Sequence, residues 1–169
     1  MQPPDLKMAY KDAPAKLVNI GFFLNIEWQG DAGGISINGV NYNLVHSHWH
    51  FPSEHTIDGK RFDAELHLLA DKMKGLTDTK GIDVGTISAS NIKCGGTKYF
   101  RYIGSLTTPP CTEGVTWTIA EKAKTISQDQ IQMIKEDLER VSLAFHFAFD
   151  LNISKTCMHI SPICICANR

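Results

Sequence analysis

Residues 46 to 50 read His-Ser-His-Trp-His, and imidazoles that alternate in this way belong on an extended segment. Alternate residues of a strand share one face, so His46, His48 and His50 stand on the same side, neighbours about 6.5 to 7 Å apart. Further on, Asp58-Gly59 is a two-residue hairpin signal. A turn closed there sets Ile57 opposite Lys60. The same register carried outward sets His50 opposite His67 and His48 opposite Leu69. A bulge near Pro52 would shift this count. Opposed residues share a face with Cβ atoms roughly 4.5 to 5.5 Å apart, so His48, His50 and His67 are expected to form a triangle. Three convergent imidazoles without a thiolate suit Zn²⁺, at Zn–N distances of about 2.0 to 2.1 Å. Three protein ligands leave a fourth tetrahedral position for solvent, as catalytic sites do. The bland alternative is a strand that is His-rich on a solvated face. Glu65, on the face of His67, and Glu54, between the two His-bearing strands, are candidate acceptors for the second ring nitrogens. Either would otherwise be a surface carboxylate.

The rest of the chain is mostly β in character. Pro3, Pro4 and Pro14 exclude helix near the start, and LVNIGFFLNIEW is an apolar extended run. ISINGVNYNLVHSHWH has Asn38-Gly39 between two β-rich segments, a second hairpin. Residues 71 to 98 are polar and carry little pattern. YFRYIGSL and GVTWTIA read as strands, separated by Thr107-Thr108-Pro109-Pro110, which cannot join a ladder. Ser127 with Gln130 forms a capping-box pattern, and Ile131, Ile134, Leu138 and Val141 follow at helical spacing, predicting a helix over 128–142. Residues 143–169 mix apolar and Cys residues without a period, so they are set apart from a 1–142 domain as a tail. Asn152-Ile153-Ser154 in that tail is a glycosylation sequon, a triplet frequent by chance.

The formal charge is -1, which argues against a general nucleic-acid or anionic-membrane binder. No apolar run approaches the roughly 20 residues of a membrane span, and no leader-like segment is visible at the start. The five cysteines are an odd number, and Cys164-Ile165-Cys166 is too closely spaced for a CxxC motif.

HWHFPSEHTIDGKRFDAELHL together with YFRYIGSLTTPPCTEGVTWTI resembles the α-class carbonic anhydrases, in particular the plant-type branch, and GDAGGISINGVNYNL agrees. The resemblance spans roughly residues 15 to 142. It implies a mainly β (α+β) fold, an antiparallel twisted sheet with a few short helices. It implies reversible hydration of CO₂ to bicarbonate by a zinc-bound hydroxide, with His48, His50 and His67 as ligands. Carbonic anhydrases are themselves the standard example of this His₃ site, so its chemistry is carried over rather than deduced. By the same resemblance Thr107 accepts a hydrogen bond from the nucleophile and donates to Glu54. Leu69, Leu106, Thr108, Val115 and Trp117 line the substrate pocket. His46 and Glu65 stand behind the ligands, and His55 is structural. The partners implied are CO₂ and bicarbonate, with a monomer favoured and a secretory or chloroplast location for plant-type members.

The sequence also departs from the family. Asn19-Ile20-Gly21 is followed by Phe22 where the proton-shuttle histidine belongs, so turnover is expected to depend on buffer. The N-terminal portion that would supply a disulfide partner for Cys111 is not in this chain. A segment that includes a strand is missing after Leu69, and the sequence diverges after about Leu138. Losing a central strand costs about 1 to 3 kcal/mol for each buried backbone group left unpaired. The expectation is therefore an incomplete sheet, with a truncated product of little or no activity, or a storage or binding protein, as the alternative to the enzyme.

Overall fold

A computed structural model describes residues 6–20, 24–71, 81–92, 98–142 and 158–167. Its elements in chain order are β1 Leu6–Tyr10, β2 Asp12–Asn19, β3 Leu24–Trp28, β4 Gly33–Ile37, β5 Val40–His50, β6 Thr56–Ile57, β7 Lys60–Arg61, β8 Ala64–Asp71, β9 Ile82–Ser88, β10 Tyr99–Ser105, β11 Glu113–Ala120, β12 Lys124–Ile126, α1 Gln128–Ser142 and β13 Met158–Ala167. A 3-10 turn, Ala89–Ile92, follows β9. One large sheet runs β10-β11-β13-β8-β5-β3-β2-β9, with β1, β4 and β12 attached at its margins. The mainly antiparallel β expectation is met.

Both hairpin signals form as read. Ile37 pairs with Val40 around Asn38-Gly39, and Ile57 with Lys60 around Asp58-Gly59. The first residue of each turn sits at positive φ, 49° and 51°, which Asn and Asp tolerate, with glycine next. The helix starts as its sequence predicts. The Gln130 amide donates to Ser127 Oγ at 3.2 Å, and the Ser127 amide donates to Gln130 Oε1 at 3.1 Å.

The ladder between β5 and β8 differs from the count carried out from the turn. His48 pairs with His67 and His50 with Glu65, a slip of two residues. The segment holding Pro52 interrupts the hairpin, so β6–β7 and β5–β8 keep separate registers. An even slip preserves faces, which is why the three histidines still meet. A second irregularity lies between Leu44 and His46. Before it, Tyr42 and Leu44 belong to the main core; after it, the even-numbered His46, His48 and His50 face the other way, while Ser47 and Trp49 take the core side. One extra residue flips the alternation and aims the imidazoles out of the core.

The two faces of β8 show the same division. Leu66, Leu68 and Ala70 join Ile126 and Ile131 of β12 and α1 in the main core. Glu65, His67 and Leu69 face the opposite way, where Val115, Trp117 and Ile119 form a second apolar cluster. Among the strands not read in the sequence, two bear on the sheet's extent. β9, in the patternless 71–98 stretch, is an edge strand on β2 with exposed apolar side chains. β13, in the segment set apart as a tail, lies inside the sheet between β8 and β11. The slot expected to be open is filled. Phe22, the sequon at 152–154 and residues 143–157 lie outside the described residues.

Candidate metal centre

β5 and β8 deliver three imidazoles to one point. One nitrogen from each of His48, His50 and His67 lies within 4.8 Å of the others. His48 Nε2 and His50 Nε2 are 3.1 Å apart. Ring centroids of His48 and His50 are each 5.0 and 4.2 Å from that of His67. A tetrahedral ion with bonds of about 2.05 Å would hold its ligand atoms about 3.3 Å apart, so the spacing suits one small cation. The donor set is three borderline nitrogens without thiolate among the described residues, again fitting a divalent ion such as zinc.

Burial prepares these rings as ligands. All three are buried. Burial, then repulsion from neighbouring imidazoles, lowers His48 to about 2 and His50 to about 3, from 6.5. Burial and the nearby His67 lower His46 to about 4. The His46, His48 and His50 rings are therefore neutral at physiological pH, and only a neutral imidazole has a lone pair for a metal.

Glu65, with no exposed surface, decides which nitrogen His67 offers. Its Oε1 accepts from His67 Nε2, so Nδ1 is the nitrogen that keeps a lone pair for an ion. The same Oε1 accepts from His55 Nδ1 at 2.9 Å, and Oε2 accepts from the His55 amide at 2.9 Å. With Nδ1 protonated, His55 Nε2 accepts from the Tyr102 hydroxyl at 2.5 Å. Burial alone would raise the Glu65 carboxyl; the hydrogen bonds from His55 and His67 outweigh it and bring the group to about 2. His55, Glu65 and His67 also cluster within 4.8 Å, but hydrogen bonds account for that grouping.

The remaining residues surround a cavity of about 150 Å³. Leu69, Leu106, Thr108 and Trp117 line it. Val115 is not among the lining residues; fully buried, it belongs to the apolar cluster with Trp117 and Ile119. His46 lines the cavity and stacks on His48 at 5.6 Å. Thr107 Oγ1 donates to Glu54 Oε2 at 2.9 Å, and that oxygen lies 3.5 Å from His50 Nε2 and 3.8 Å from His67 Nε2. The sequence reading missed two lining residues, Ile20 and Asn25. Asn25 and Glu27 alternate as buried polar residues in an otherwise apolar strand, the kind of signal His46 to His50 gave more loudly.

The neutral, buried imidazoles have a measurable consequence in the metal-free protein. Groups whose pKa is lower folded than unfolded favour folding above the unfolded value and lose that contribution as the pH falls toward the folded one. For His46, His48 and His50 the window opens at 6.5 and runs down to about 4, 2 and 3; Glu65, lowered from 4.5 to about 2, adds a loss below 4.5. The thermal midpoint of metal-free protein should be flat above about pH 7 and fall steadily from about pH 6.5 to 5. A midpoint unchanged across that acid range would show that the rings are not buried neutral.

Comparison with known proteins places this geometry. The sequence model described as eukaryotic-type carbonic anhydrase matches residues 77–144. Alpha carbonic anhydrase 4 of Arabidopsis thaliana is 38% identical over 156 residues, covering 77% of this chain and 58% of the relative. Among solved structures, a dioscorin complexed with ascorbate superposes with a TM-score of 0.68 at 26% identity, over 95% of this chain and 77% of that one. A hyperthermostable carbonic anhydrase from a hydrothermal vent chimney gives 0.67 at 26% identity, over 96% and 82%. The chain spans about three fifths of the length of the curated relative. By its sequence relatives, its sheet and its structural neighbours, the chain belongs to the α-carbonic anhydrase family.

Proposed function

We propose that this chain holds one zinc ion on His48, His50 and His67 and hydrates CO₂ reversibly to bicarbonate. The observation that carries the reading is the His₃ set with the Thr107–Glu54 hydrogen bond at its side. When bound, zinc acts as a Lewis acid that brings the pKa of coordinated water to about 7, a property known from carbonic anhydrases themselves.

The protein's own residues supply the rest. Glu54 accepts the hydrogen bond that the Thr107 hydroxyl donates, so Thr107 Oγ1 can only accept from the nucleophile. A nucleophile that spends its proton on Thr107 keeps a lone pair for carbon. CO₂ has no net dipole, and Leu69, Leu106 and Trp117 offer it an apolar wall. Thr108 lies beside that space. Glu65, itself fixed by His55, keeps the His67 ring from rotating.

Each hydration releases one proton, which must leave the cavity. The position the resemblance gives to the shuttle is Phe22, and a phenyl ring cannot carry a proton. Stopped-flow hydration should therefore rise steeply with imidazole buffer, and Phe22→His should raise the low-buffer rate by about tenfold or more. Equal rates in dilute and concentrated buffer would count against the proposed proton route. The likeness to a dioscorin favours a second reading, a binding protein of the same fold without efficient turnover. Zinc held in stoichiometric amount with no hydration at any buffer concentration would select it.

A further inference from the structure

β13 occupies the centre of the sheet, although the stretch it comes from has no alternating pattern. Ile160 to Cys166 run parallel to Ala64 to Ala70 of β8. On the other side Ile163 to Ala167 run antiparallel to Val115 to Ile119 of β11, and Met158 to Ile160 pair with β12. Ser161-Pro162 spans the gap between those two antiparallel ladders, where a residue without an N–H costs least.

Directly paired positions share a face of a sheet. Position 163 is paired with His67 on one side and Ile119 on the other. Position 165 is paired with Leu69 and Trp117, both of which line the cavity. Positions 164 and 166 fall instead in the rows of Leu68 with Thr118 and of Ala70 with Thr116, the opposite face. The apolar row Leu69–Trp117 thus has a gap one strand wide, and an isoleucine stands in that register.

We propose that β13 is the strand that closes the apolar wall of the metal centre, and that position 165 limits the space open to substrate. The identity of that substrate rests on the CO₂ reading; the placement rests on the ladders alone. A wall supplied by a segment more than eighty positions along the chain from β8 makes the site depend on non-local strand pairing.

Two measurements on the full chain test this. Thr116→Cys puts a thiol directly opposite native Cys166. Antiparallel partners have Cα atoms about 4.5 to 5.5 Å apart, within disulfide reach, so mild oxidation should give a 116–166 cross-link by peptide mass mapping. The same variant combined with Cys166→Ser should give none. Its absence in the single variant overturns the placement. In the second measurement, Ile165→Phe should lower kcat/KM for CO₂ by about tenfold with zinc content unchanged, while Cys164→Ala on the opposite face stays within about twofold. If the bulky variant fails to fold, Ile165→Val reads the same position and should move KM more than kcat. Unchanged kcat/KM at position 165 in an active, zinc-loaded protein overturns the role in the pocket. A cross-link formed in a protein that holds zinc but never turns over supports the strand's placement and overturns the reading of the reaction.

Discussion

Changing His67 to alanine should strip the chain of stoichiometric zinc and take CO₂ hydration to the uncatalysed rate. His67 touches every part of the centre: His48 and His50 beside it, Glu65 behind it and Trp117 at 5.2 Å. Removing it leaves two imidazoles, too few to hold an ion against competing chelators. It also leaves the wholly buried Glu65 with His55 as its remaining described partner, at a cost of about 1 to 3 kcal/mol in stability. Glu65→Gln separates the two effects. It keeps all three ligands but loses the charge that orients His67, so zinc affinity should fall by about 10- to 100-fold rather than vanish. Metal analysis after dialysis against a mild chelator checks both variants. Full zinc retention in His67→Ala would remove this residue from the ligand set.

Thr107→Ala should leave zinc in place and lower kcat/KM by about a hundredfold. The hydroxyl donates to Glu54 and so presents only acceptor character to the cavity. Without it the nucleophile is free to rotate, and misalignment on the ångström scale is worth about that factor. Thr107→Ser keeps the oxygen and should retain most activity. Glu54→Ala should resemble Thr107→Ala, because a Thr107 hydroxyl without its acceptor can turn its proton into the cavity. Stopped-flow assays with zinc content measured on the same samples check this. Wild-type turnover in Thr107→Ala would end the orienting role.

The triad was legible from the sequence because alternation and turn chemistry are local. Asn38-Gly39 and Asp58-Gly59 fix two turns, and the HxHxH run fixes a face. The predicted register was wrong by two residues, yet the faces survived because strand periodicity is two. The bulge between Leu44 and His46 has no sequence signature of its own, although it is what turns the histidines away from the main core. β13 was invisible for a different reason. Its pairing partners, β8 and β11, lie far away in the chain, and Ile163-Cys164-Ile165-Cys166 puts apolar residues at every position, so no period-two contrast marks the strand. The relay from Tyr102 through His55 to Glu65 joins three separate elements, and no local pattern encodes such a contact. Among the described residues no helix is long and apolar enough to cross a membrane, in line with the hydropathy of the sequence.

X-ray absorption at the zinc edge of the loaded full chain tests the account at its centre. Three imidazole nitrogens and one light solvent atom at about 2.0 to 2.1 Å are predicted, with no sulfur in the shell. A shell containing sulfur at about 2.3 Å, or four protein nitrogens with no place left for solvent, would contradict an open three-histidine site.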